Sequence, residues 1–153
     1  MNLPPELTDR PQWLIWRREK RKDSTKLTKV PYQCKGYQAS TTNKRHWSTF
    51  GYALEVWLKQ RIPCDGIGFV FTAEDPFCGI DIDNCWLSDA AETPTWAAGI
   101  ERRFYDTYRE ESPSGMGFKI FCRAKAPLCK PWKITPTGQI EIYDRSRVFC
   151  SHR

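Results

Sequence analysis

Phe77-Cys78-Gly79-Ile80-Asp81-Ile82-Asp83-Asn84-Cys85 is the stretch from which the rest of the chain is best read. Ile80 and Ile82 alternate with Asp81 and Asp83, the period of a β-strand with one apolar and one acidic face. Residues two apart on a strand share a face, so the two carboxylates stand roughly 7 Å apart at their Cα atoms. Like charges held that way repel unless a cation sits between them or water surrounds them. Two readings fit: an edge strand whose acids face solvent, and a pair of ligands for a hard divalent ion such as Mg²⁺.

Working outward, Ile67-Gly68-Phe69-Val70-Phe71 reads as a strand, and Thr72 to Pro76 as a polar turn; the two strands are predicted to form a hairpin. Toward the N-terminus, Trp13-Leu14-Ile15-Trp16-Arg17 suits a buried strand. A basic stretch from Arg18 to Lys29 follows, an exposed loop or hairpin, and then Val30-Pro31-Tyr32, where proline forbids a central strand. Trp47, Phe50, Leu54 and Trp57 recur at helical spacing and predict an amphipathic helix over 46–61. After an acidic loop at 86–93, Pro94 opens a second predicted helix running to Tyr108, with Trp96, Ile100, Phe104 and Tyr108 on one stripe. Glu111-Ser112-Pro113-Ser114-Gly115-Met116-Gly117 is a turn leading into the strand Phe118 to Cys122. Residues 124–138 read as a proline-rich loop, and strands follow at 139–143 and 147–149.

The 153 residues are 40% hydrophobic and 27% charged, the balance of one globular domain with its own core. A formal net charge of +6 and a pI of about 9.0 favour polyanionic partners. No apolar run approaches the roughly 20 residues of a membrane span, and the first residues lack the apolar region of a signal peptide. Seven irregularly spaced cysteines without such a signal point to reduced thiols in a cytoplasm. Cys78/Cys85 and Cys122/Cys129 are spaced too widely for the usual structural zinc pairs.

Three strands carry charge on an otherwise apolar pattern: Asp81 and Asp83, Lys119 between Phe118 and Ile120, and Glu141 between Ile140 and Ile142. As neighbours in one sheet they would set three carboxylates and an ammonium beside a Gly-Ser turn. That inventory suits metal-assisted nucleotidyl transfer, although a merely soluble sheet face would carry the same pattern.

Six motifs in order carry a resemblance: Trp13-Leu14-x-Trp16-Arg17, Thr28-Lys29-Val30-Pro31-Tyr32, Gly66-Ile67-Gly68-Phe69-Val70-Phe71, Gly79-Ile80-Asp81-Ile82-Asp83, Ser112-Pro113-Ser114-Gly115-x-Gly117 and Ile140-Glu141-Ile142-Tyr143-Asp144-x-x-Arg147. Together they resemble the archaeo-eukaryotic primase superfamily, more narrowly the primase-polymerase domains of phage and plasmid replication proteins. The resemblance implies an α+β fold with an RRM-like, mostly antiparallel sheet and flanking helices, in one catalytic domain spanning residues 1–153. It implies a DNA primase or DNA polymerase that uses nucleoside triphosphates, NTP or dNTP, on a DNA template and primer. Asp81, Asp83 and Glu141 would hold Mg²⁺ or Mn²⁺, and Ser114, Gly115, Lys119, Arg147 and Lys29 would contact nucleotide phosphates, Lys29 alternatively the template. Lys119 stands where the family usually places His. The chain stops after Phe149-Cys150-Ser151-His152-Arg153, where the family pattern continues, as a fragment or a minimal form would. A replicative helicase on another chain or domain and the cytoplasm of a bacterial, archaeal or phage-infected host complete the expectation. The alternatives are a catalytically impaired nucleic-acid or nucleotide-binding module of the same fold, and a metal-dependent nuclease or phosphohydrolase.

Overall fold

The computed structural model describes residues 3–20, 27–86 and 93–151. In chain order these form helix α1 (Pro5–Thr8), strands β1 (Trp13–Lys20) and β2 (Leu27–Tyr32), a 3-10 turn (Lys44–His46) and helix α2 (Phe50–Leu58). Strands β3 (Gly66–Phe71) and β4 (Phe77–Asp83), helix α3 (Thr95–Arg103) and strands β5 (Arg109–Glu111) and β6 (Phe118–Arg123) follow. The last elements are β7 (Pro131–Lys133), β8 (Gln139–Tyr143) and β9 (Arg147–Ser151). The class is α+β, with antiparallel sheets and few helices. Parts of the basic stretch, at 21–26, of the acidic loop, at 87–92, and of the C-terminus, at 152–153, lie outside the described residues. No described helix is long and apolar enough to cross a membrane.

The chain's contacts gather into two units, Met1–Val70 with Ser146–Arg153, and Phe71–Arg145. The first holds a four-stranded sheet in the order β2-β1-β3-β9. Trp13 and Trp16 are buried in it, and each satisfies its indole N–H on a main-chain carbonyl, Leu7 at 3.1 Å and Ile67 at 3.0 Å. β2 is an edge strand, which is where Pro31 costs no interior ladder bond. The basic stretch thus begins and ends in an antiparallel pair, with Arg17 opposite Val30 and Arg18 opposite Lys29.

The helix expected at 46–61 is shorter. Trp13 and Ser48 exchange main-chain bonds of 3.0 and 2.9 Å, which hold Ser48 extended. The helix therefore starts after Thr49, whose side chain accepts from the Tyr52 N–H at 3.3 Å as an N-cap. Trp47 lies before it, and the buried stripe is Ala53, Val56 and Trp57.

The hairpin expected between β3 and β4 does not form. β3 has β1 on one edge and β9 on the other, and β4 has β6 and β8. With both edges of each strand taken, neither has main-chain groups left for the other.

The second unit holds the order β5-β6-β4-β8-β7, with β4 in the middle. Ile80, Ile82, Phe118 and Ile120 form its apolar face, closed by Ala97 with Trp96, Ile100 and Phe104 of the α3 segment. That helix ends at Arg103 rather than 108, because Tyr108 offers its carbonyl to the Phe121 N–H at 3.0 Å and so belongs to the sheet edge. β5 and β7 arise within segments expected to be helix, turn or loop.

Candidate active site

The register of the five-stranded sheet aligns the charged residues. Asp81 of β4 lies opposite Lys119 of β6 on one side and Glu141 of β8 on the other. The row extends to Glu110 of β5, opposite Lys119. One pleat further along, Asp83 faces Gln139, which in turn faces Lys133 of β7. Residues directly opposite one another share a face, and so do residues two apart on a strand. Asp81, Asp83, Glu141 and Lys119 are therefore brought together on the face away from α3.

The interior of that face is held by two donors. Lys119 is only 3% exposed, and its Nζ makes a short ion pair with Asp81 Oδ2. The Gln139 amide nitrogen donates to Asp83 Oδ2 at 3.3 Å and to Glu141 Oε1 at 3.1 Å. Sequence reading missed Gln139. It precedes Glu141 by two residues and so shares its face, but an uncharged side chain on a strand does not by itself distinguish a site from a solvated face. Glu110, missed as well, sits on a strand too short to show a period and accepts from Tyr108 Oη at 3.3 Å.

Ser114 and Gly115 lie in the turn between β5 and β6, which is tied to the end of β4: the Cys85 and Trp86 N–H groups both donate to the Met116 carbonyl, at 3.0 and 3.2 Å. The turn closes on itself. The Gly115 N–H donates to the Ser112 carbonyl at 2.8 Å, Ser114 N–H to Ser112 Oγ at 3.3 Å, and Met116 N–H to Ser114 Oγ at 3.3 Å. Gly115 takes φ +71°, a left-handed conformation that suits glycine. These N–H groups are engaged within the turn, so offering them to a phosphate requires exchanging its internal bonds.

Lys29 and Arg147 belong to the first unit. Lys29 is an exposed residue of the edge strand β2, its ammonium 5.8 Å from the Trp16 ring centroid. It lines a cavity of about 360 Å³ with Glu19, Lys20, Thr28, Val30, Pro31 and Gln38. Arg147 opens β9 and is exposed.

Four carboxylates on the face, Glu110, Asp81, Asp83 and Glu141, outnumber the two lysines in register with them, Lys119 and Lys133, so the donor set suits a hard divalent cation. The side chains themselves do not converge on a single point. Among the described residues no three His, Cys, Asp or Glu side chains gather where they could hold a metal ion. Lys119 and Gln139 direct their hydrogens at the oxygens a cation would need.

No family model matches the chain. It is 30% identical over 139 residues to a DNA primase-polymerase of Nitratiruptor phage NrS-1, a match covering 89% of this chain. The chain spans about 18% of the length of that relative. Over most of its length, then, this chain is similar to a phage DNA primase-polymerase.

Proposed function

We propose that the chain is a primase-polymerase domain that performs template-directed nucleotidyl transfer from nucleoside triphosphates onto DNA. The observation that carries the reading is the likeness to a phage DNA primase-polymerase over 89% of the chain. It is supported by a sheet register that lines up Lys119, Asp81 and Glu141, the residues the chemistry would require.

In this reading Asp81, Asp83 and Glu141 hold Mg²⁺ or Mn²⁺. The bound ion supplies charge neutralisation of the triphosphate and acidification of the attacking hydroxyl. Lys119 meets a phosphate as a point charge rather than with the directional bond of an imidazole. The Ser114 hydroxyl and the turn around Gly115 line the triphosphate, and Lys29 and Arg147 serve phosphates of nucleotide or template. Gln139 spaces Asp83 and Glu141 and keeps their facing oxygens oriented. A helicase on another domain or chain and a cytoplasmic setting in a bacterial, archaeal or phage-infected host complete the proposal.

A second reading, a binding module without turnover, is favoured by one observation: the cation paired to Asp81 is the protein's own lysine. Primer extension on a labelled primer–template with Mg²⁺ or Mn²⁺ separates the two. Extension by the wild type that disappears in Asp81→Ala/Asp83→Ala is the expected result. Template binding without extension in the wild type would replace the polymerase reading with the second one.

A further inference from the structure

We propose that Lys119 is a built-in counter-ion for Asp81, and that a divalent cation enters the site only by displacing it. Loading the cation and freeing an ammonium for an incoming phosphate are then one event. The inference deepens the functional reading above and rests on it for the identity of the phosphate, but not for the exchange itself.

Three observations carry it. The Lys119 side chain is 4% exposed and that of Asp81 15%, so the pair is sheltered from water that would otherwise screen it. The Gln139 amide plays the corresponding part between Asp83 and Glu141. Among the described residues no three acidic, histidine or cysteine side chains converge for a metal. Asp81 Oδ2, Asp83 Oδ2 and Glu141 Oε1 are thus each already engaged by a protein donor.

A divalent ion on Asp81 and an ammonium on the same carboxylate repel each other across a poorly screened gap. The strands cannot part to relieve this, because Asp81 lies in the middle of a ladder, with β6 and β8 on its two edges. The lysine can. Its four-carbon stem carries the charge on rotatable bonds, so the ammonium moves while the main chain stays. A neutral imidazole at this position would present no such competition, which makes the lysine the feature that couples the two steps.

The test needs no turnover. Mn²⁺ binding is followed by the loss of the free-ion electron paramagnetic resonance signal, for the wild type and for Lys119→Met. Removing the competing ammonium is expected to tighten Mn²⁺ binding by about tenfold or more. In parallel, the wild type is treated with acetic anhydride in chelator and in saturating Mn²⁺, and acetylation of Lys119 is read by peptide mass spectrometry. Protection in chelator and labelling in Mn²⁺ are expected. Equal or weaker Mn²⁺ binding by a folded Lys119→Met protein, or labelling of Lys119 that Mn²⁺ does not change, overturns the proposal. If the Met variant fails to fold, the labelling arm decides. Absence of primer extension beside Mn²⁺-driven exposure of Lys119 would sink the polymerase reading alone; normal extension with unchanged labelling would sink only the counter-ion role.

Discussion

Asp144 is fully buried, and its carboxylate accepts four hydrogen bonds. Arg145 donates to it through Nε at 2.7 Å and Nη2 at 3.1 Å, the Ala126 N–H at 3.1 Å, and the Cys129 thiol at 3.4 Å. The Arg145 bond, ahead of the cost of burial, holds the carboxyl below its ordinary range. A carboxyl whose folded pKa is depressed contributes stability above its unfolded pKa, roughly 3.9, and loses it as pH falls through the lower folded value. Asp144→Asn is therefore expected to cost about 1–3 kcal/mol at pH 7, with the difference from wild type shrinking in strong acid. Urea denaturation at both pH values measures it; an equal cost at both would show that the charge is immaterial. Residue-level reading of the sequence gave Arg147 a role and passed over Arg145. Alternation cannot say which of two nearby cations turns toward a buried acid.

At the scale of elements, the turn between β5 and β6 is seated on β4 by close main-chain approach. A Cβ on Gly117 would stand 2.0 Å from the Ile82 carbonyl oxygen and 3.0 Å from its carbon, both main-chain atoms of a central strand. Gly99, inside α3, would meet nothing within 4 Å. The same substitution is thus expected to act in opposite directions. Gly117→Ala should destabilise by about 1–3 kcal/mol or more, since backbone must move, whereas Gly99→Ala should stabilise by about 0.5–1 kcal/mol through a less flexible unfolded chain. Urea denaturation of both variants checks the pair, and a neutral Gly117→Ala would refute the seating of the turn on β4. The sequence showed that 112–117 is a turn; what lies beneath it depends on a strand some thirty residues away.

For the whole molecule the net charge of +6 is the relevant quantity, together with where cations meet rings. Arg17 stacks on Tyr32 at 4.2 Å, and Lys130 lies 5.6 Å from the Trp132 centroid. Cations interleaved with aromatics suit a flexible polyanion with exposed bases. Single-stranded DNA binding is accordingly expected to weaken by about tenfold or more between 50 and 200 mM salt if three or more phosphates are neutralised. Fluorescence anisotropy over a salt series measures the slope. A flat dependence would remove these basic surfaces from the DNA-binding reading.

The longer strands and the chemistry of their faces were legible in the residue order, whereas the three-residue strands β5 and β7 were not. Alternation over 80–83, 118–120 and 140–142 separated an apolar side from a charged one, because side chains on a strand point to opposite faces with a period of two residues. Which strands pair, and which side chains meet across them, is set by the assembled sheet. Lys119 and Asp81 are 38 residues apart, and Gln139 and Asp83 56 apart; their meeting depends on which strand edges remain open once the others have paired. The same competition for edges sent β3 and β4 to different sheets and made a hairpin of neighbours in sequence impossible. Periodicity is a local property of the chain, and register is a property of the completed sheet.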